Sequence, residues 1–175
     1  MGSPRIAPLL TEDQLRKRIR ELGQRITADY AGKRLVLIAV LKGSFIFLAD
    51  LCRAIELPLR VEFLGVRSYG AETRSTGVVQ ITQDLGAPIE GEDVLIVEDI
   101  VDSGLTLAHL LELLHTRRPA SLKVCVLLDK PDRRAVTVAV DYVGFPIPDR
   151  FVVGFGLDWA ERHRNLPFVG TVEDR

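Results

Sequence analysis

The chain has 175 residues, a length that fits a single domain. Hydrophobic residues make up 47% and charged residues 27%, a globular profile that excludes a disordered or fibrous protein. Lys plus Arg number 23 and Asp plus Glu 24, for a net charge of −1. No basic field argues for nucleic-acid binding, and no acidic excess argues for a solvating tail. Cys52 and Cys125 match neither a metal knuckle nor a C-x-x-C pair. They read as small core hydrophobes in a reducing, cytoplasmic protein. No apolar run approaches the ~20 residues of a membrane span, and the first ten residues lack a signal-peptide core.

Thr11 and Gln14 have capping-box spacing. Leu15, Ile19, Leu22 and Ile26 then recur at helical steps, so an amphipathic helix follows with Arg16, Lys17, Arg18 and Arg20 mostly on its solvated side. The run 35–40 is continuously apolar, as a central parallel strand is. Leu41-Lys42-Gly43-Ser44 breaks it, and a helix from Phe45 to Ala54 follows. The run 59–66 alternates like a strand, with Val61, Phe63 and Leu59 on one face. Residues 67–77 hold almost nothing to bury and read as an exposed, mobile lid. Strands follow at 78–82 and 93–97. A turn at 99–104 leads into a helix at 105–115, with Leu107, Leu110, Leu111 and Leu114 as its buried stripe. Further strands are expected at 122–128, at 136–140 and, short, at 151–155. The tail from Asp158 reads as loop, and Trp159 as a core aromatic. Strands alternating with helices imply an α/β fold with a mostly parallel sheet flanked by helices.

The chemistry concentrates in residues 94–106. An apolar strand runs into Glu98, Asp99 and Asp102, then into Ser103-Gly104-Leu105-Thr106 at a helix start. Hydroxyls, a glycine and unpaired helix N–H groups make a phosphate site. Glu98 and Asp99 are adjacent carboxylates that repel unless a sugar diol or a magnesium ion satisfies both. The segment is neither a P-loop nor a dinucleotide fingerprint, since G-x-x-x-x-G-K-[ST] and G-x-G-x-x-G are absent.

The string from Val97 to Thr106 resembles the signature of the type I phosphoribosyltransferases, which bind phosphoribosyl pyrophosphate. Four more segments resemble the hypoxanthine-guanine branch of that family: Leu41 to Ser44 its pyrophosphate loop, Ser68-Tyr69 the start of its lid, Lys130 its purine-reading lysine, and Phe151 to Asp158 its purine and magnesium segment. The resemblance implies one phosphoribosyltransferase domain over 1–175, with a small hood made by the N-terminal segment and roughly 145–175. It also implies purine salvage, with transfer of a phosphoribosyl group to hypoxanthine or guanine. Asp102 would be the general base. Asp102, Ser103, Gly104, Leu105 and Thr106 would cradle the 5′-phosphate, and Glu98 and Asp99 would hold the ribose hydroxyls directly or through magnesium. Lys42, Gly43 and Arg164 would face pyrophosphate. Lys130 would donate to the purine 6-oxygen, Phe151 would stack on the base, Val152 would meet it through its backbone, and Asp158 would bind a second magnesium. The family further implies a cis bond at Leu41–Lys42 and a homodimer or homotetramer. Leu105 stands where some members carry Lys, and Trp159 where Tyr is also seen.

Two other readings compete. A regulator on the same fold would sense phosphoribosyl pyrophosphate and bind nucleic acid, but the balanced charge disfavours it. A transferase for xanthine, adenine or uracil is the nearer rival, and Lys130 with Phe151 favours a 6-oxopurine. His109, His115 and His163 are scattered and carry no catalytic or metal role.

Overall fold

The computed structural model describes residues 5–68 and 79–173. Most of the expected lid at 67–77, Tyr69 included, lies outside the described residues, as does the side chain of Ser68.

The apolar run at Leu35–Leu41 becomes β2, near the centre of a six-stranded sheet. It pairs in parallel with Leu59–Ser68 on one side and Asp93–Val101 on the other. In chain order the described strands are β1 (Arg5–Leu10), β2, β3 (Leu59–Ser68), β4 (Val79–Gln83), β5 (Asp93–Val101), β6 (Ser121–Asp129), β7 (Tyr142–Pro146), β8 (Val152–Val153) and β9 (Val169–Glu173). The helices are α1 (Glu12–Asp29), α2 (Phe45–Ala54) and α3 (Leu105–His115). The large sheet runs β4-β3-β2-β5-β6-β7, parallel except for the antiparallel edge strand β4.

Alternation along β2 divides the core, because successive side chains point to opposite faces. Leu35, Leu37 and Ala39 pack with the buried stripes of α1 and α2. Val36, Ile38 and Val40 pack with Leu107, Leu110 and Leu114 of α3. α1 begins at the expected box: Thr11 Oγ1 accepts from Gln14 N at 3.2 Å, and Thr11 N donates to Gln14 Oε1 at 2.8 Å. Cys125 is buried and Cys52 half-buried, and both are free thiols.

Several expectations are corrected. β5 continues through Glu98 to Val101 where a turn was expected from Asp99, because the ladder to β6 holds as far as Val101 opposite Asp129. No strand forms at 136–140. Ala135 N and Val136 N bond instead to Ser103 O, so this stretch roofs the turn after β5, and the strand beside β6 is Tyr142–Pro146. Of the stretch 151–155, only Val152–Val153 is strand. The tail is not all loop: β9 pairs with β1 and β8 in a separate three-stranded antiparallel sheet. Pro8 sits at a register shift in β1, the place where an edge strand tolerates proline. Phe63 is exposed rather than inward, and Leu111 is only half-buried. Trp159 is 41% exposed, not core. Positive φ at Ala160, Glu161 and His163 curls its loop, and the indole lies stacked on His163. No described helix is long and apolar enough to cross a membrane.

Candidate active site

Ligands bind open α/β sheets beyond the carboxyl ends of the parallel strands. There Lys42 and Gly43 follow β2, Asp102 to Thr106 follow β5, and Lys130 follows β6. A cavity of about 340 Å³ is lined by Lys42, Gly43, Glu98, Asp99, Asp102, Ser103, Gly104, Thr106, Asp158 and Arg164, among others. Ten of the residues singled out from the sequence thus share one cavity. The Leu41–Lys42 peptide is cis, as the resemblance implies.

Gly104 opens α3 with φ 83, and a Cβ there would sit 3.1 Å from Val138 Cγ1. Its left-handed conformation favours glycine, and the roof above leaves little room for a side chain. Gly104 has no side chain to cap the helix, and Ser103 Oγ accepts only a long 3.4 Å bond from Leu105 N. The first turn of α3 therefore keeps N–H donors for an anion. Gly43 is pressed against Asp99, where a Cβ would overlap the carboxylate. The backbone of the loop after β2 thus touches the acidic end of β5.

Glu98 is buried, and that burial pushes its carboxyl well above the usual range, with the charge of Asp99 adding to the effect. Burial pushes Asp99 up to about 6, while the Ile100 amide, 2.8 Å from Oδ1, and the field of Arg164 hold it down. Two adjacent carboxylates with raised pKa values are an acceptor set awaiting a cation or a diol. Among the described residues, no three His, Cys, Asp or Glu side chains gather into a metal site. The Glu98–Asp99 pair and the separate Asp158 fit magnesium in its usual mode, where one or two carboxylates are joined by water and substrate oxygens.

The two cations assigned to pyrophosphate share one acidic partner. Lys42 Nζ lies 3.0 Å from Glu161 Oε2, and Arg164 Nη2 lies 3.6 Å from the same oxygen. Arg164 also pairs with Asp158 Oδ1 at 2.9 Å and donates to Gly156 O at 2.8 Å. The purine-side residues are less gathered. Lys130 is 7% exposed, with its ammonium 4.0 Å from Asp102 Oδ2 and 3.7 Å from Asp149 Oδ1. Val152 is buried in β8, whereas Phe151 is 56% exposed and lines a separate cavity with Trp159. Leu105 begins α3 but does not line the main cavity.

Sequence reasoning missed Arg133, Arg134, Asp149 and Glu161. The run Lys130-Pro131-Asp132-Arg133-Arg134 carried a signal for the first two, as a cluster of cations. Asp149 and Glu161 sit in polar loops and carried none.

A phosphoribosyl transferase domain model matches residues 9–160 of the chain. That match agrees with the class the fold and cavity point to: an α/β protein with a loop of free N–H donors and paired carboxylates after a central strand. The chain is 55% identical to the hypoxanthine-guanine phosphoribosyltransferase of Mycobacterium avium, covering 95% of this chain and 85% of that one. It is 51% identical to the hypoxanthine phosphoribosyltransferase of Salmonella typhimurium, covering 94% and 93%. A crystal structure of a hypoxanthine-guanine phosphoribosyltransferase from Bacillus anthracis superposes with a TM-score of 0.93 at 46% identity, over 98% of this chain and all of that one. The chain belongs to the hypoxanthine-guanine phosphoribosyltransferase family.

Proposed function

We propose that the chain is an enzyme of purine salvage that transfers the 5-phosphoribosyl group of phosphoribosyl pyrophosphate to hypoxanthine or guanine, releasing pyrophosphate. The observation that carries this reading is the meeting of two features in one place. The Glu98–Asp99 pair and the loop from Asp102 to Thr106 share a cavity with Lys42, and Lys130 stands beside Asp102 at its edge.

The reaction breaks the bond from the anomeric carbon to pyrophosphate and forms one to a purine nitrogen. Positive charge develops on the sugar ring, as in glycoside hydrolysis. Glu98 and Asp99 lie where the ribose hydroxyls would rest, and their charge favours that developing cation. The loop from Asp102 to Thr106, with the start of α3, anchors the 5′-phosphate. Lys42, the Gly43 backbone and Arg164 receive the departing pyrophosphate, which displaces Glu161 from both cations. Asp102 takes the proton from the purine ring. Lys130 donates to the 6-oxygen, Phe151 covers the base, and Val152 meets it through its backbone. Glu98 and Asp99, and separately Asp158, would hold magnesium, which would neutralise charge on the leaving group. The sheet of β1, β9 and β8 acts as the hood, and Ser68 and Tyr69 begin a lid that keeps water from the sugar cation.

A reducing cytoplasm suits the free thiols of Cys52 and Cys125. A second copy, in a homodimer or homotetramer, would cover apolar surface such as the exposed Phe45 and Phe63. The test is a pyrophosphate-release assay with phosphoribosyl pyrophosphate, magnesium and each base in turn. Release with hypoxanthine and guanine supports the reading; release with adenine or uracil alone sinks it.

A further inference from the structure

Lys130 and Asp102 do not face each other alone. Asp102 turns Oδ2 towards the Lys130 ammonium at 4.0 Å, while its Oδ1 accepts a 3.1 Å hydrogen bond from Arg133 Nε. Opposite, Asp149 presents Oδ1 to Lys130 at 3.7 Å and Oδ2 to Arg133 Nη1 at 3.6 Å. Two cations and two carboxylates therefore alternate around a closed ring. Its charges sum to zero, and each carboxylate is divided between one lysine and one arginine.

Neighbouring bonds tie the turn after β6 to the loop that carries Asp102. Arg134 Nη1 donates to the Asp102 carbonyl at 2.9 Å, and Ala135 N donates to Ser103 O at 2.9 Å. The cations differ in setting, since the Lys130 side chain is 8% exposed and that of Arg133 53%. A buried ammonium needs acceptors or it sheds its charge. Here it has two carboxylates in reach and a short bond to neither, so its donors remain free for a third acceptor. Remove Arg133, and Asp102 and Asp149 are left with a single cation between them. Either carboxylate can then close on Lys130 and crowd the side of the ammonium that would face the base.

We infer that Arg133 is a positioning residue for the purine half of the reaction. It holds Asp102 and Asp149 off Lys130, so that the ammonium and Oδ2 of Asp102 both stay open to an incoming 6-oxopurine. The inference rests on the function proposed above. A half-exposed ion pair contributes little to folding, so the effect belongs in substrate parameters rather than in stability.

The experiment compares wild type, Arg133→Ala and Arg133→Lys in steady state, varying hypoxanthine and phosphoribosyl pyrophosphate separately and recording thermal melting. In Arg133→Ala, kcat/KM for hypoxanthine falls about tenfold with KM for hypoxanthine raised, while KM for phosphoribosyl pyrophosphate stays within about twofold. Melting is nearly unchanged, and Arg133→Lys, which keeps the charge, recovers most of the loss. Unchanged hypoxanthine parameters in Arg133→Ala overturn the inference. So does a parallel rise in both KM values with a lowered melting temperature, which marks a purely structural role. Wild-type turnover is the control that separates the two levels. If wild type fails with every 6-oxopurine, the proposed function falls and takes the positioning role with it. If wild type turns over and the alanine variant matches it, the positioning role falls alone.

Discussion

At the carboxyl edge of the large sheet, Lys42, the run from Glu98 to Thr106, and Lys130 each stand within a few residues of the strand that aims them. In the small sheet, Arg5 meets Glu173 and Ile6 meets Val172 across nearly the whole chain. The first region gathers polar groups that folding alone does not favour: a carboxylate pair with Glu98 buried and Asp99 half-buried, a buried ammonium and an αL glycine. The second gathers ladder hydrogen bonds and buried apolar residues, with Val169 and Val153 fully enclosed. One region carries cost for chemistry and the other supplies stability. Substitutions should therefore separate them by which quantity moves.

The largest expected effect is on base choice. An ammonium has three donors and no acceptor, so adenine's 6-amino group would leave Lys130 buried against a second donor. Sites built around one hydrogen-bond partner reject the wrong group by around 10⁴-fold. The ratio of kcat/KM for hypoxanthine to that for adenine should be of this order in wild type. Lys130→Gln, with both a donor and an acceptor, should narrow it at least about tenfold, chiefly by losing hypoxanthine. Comparable use of adenine by wild type would remove Lys130 as the reader and break the contrast at its strongest point.

Next comes Asp102→Asn. The amide keeps an oxygen for the Arg133 bond but is no longer a base, so turnover should fall about 10²-fold, the low end for a positioned base, because purines are themselves acidic. Binding of the nucleotide product, followed by calorimetry, should change little. Single-turnover chemistry at the wild-type rate would exclude proton transfer to Asp102.

The small sheet should answer in the opposite sense. Val169→Ala opens a void in a fully buried position between β1 and β8 and should cost about 1–3 kcal/mol, read from denaturant midpoints. The KM for phosphoribosyl pyrophosphate should hold within about twofold, because no residue of β9 lines the main cavity. A collapse of that KM in a variant of intact stability would mean that the small sheet positions the phosphate site directly, and the division would fail.

This division also explains which parts could be read from the sequence. Residues 94–106 are contiguous, so strand, carboxylates, phosphate loop and helix start follow one another in the text and define the site almost alone. The buried stripes of α1 and α3 are local periodicities and are equally readable. The β1–β9 pairing has no local trace: Pro8 and Gly170 look like breakers until the partner strand is known. The roof at 136–140 looks like a strand because its valines alternate, yet its entry is held by Ala135 N and Val136 N on Ser103 O, and its residues make no ladder to β6. Phe151 and Lys130 come from different strand ends, and their relation to one base depends on the whole sheet. Arg133 and Asp149 gain meaning only when the turn after β6 and the loop after β7 close on Asp102.

The smallest expected effect probes the cost held at the acidic edge. Desolvation pushes Asp99 up to about 6 in the folded protein, against about 3.9 in an unfolded chain. The folded state therefore binds this proton more tightly than the unfolded state. The resulting stabilisation is complete below the unfolded value and is lost as pH rises through about 6. Above that range Asp99 is ionised in both states, and the fold bears the cost of a partly desolvated charge. Asn at this position accepts the same Ile100 amide bond and never ionises. It also removes a neighbouring charge that pushes Glu98 up. Without magnesium, Asp99→Asn should match wild type near pH 4 and exceed it by about 1–2 kcal/mol at pH 8, several degrees in melting temperature. The same variant should lose most of its transferase activity, having lost half of the carboxylate pair. The measurement is calorimetric melting of both proteins in chelator from pH 4 to 8. A gap that stays constant with pH, or a variant less stable than wild type at pH 8, would show that the acidic edge is not strained by its charges. The opposition between the two regions would then rest on activity alone.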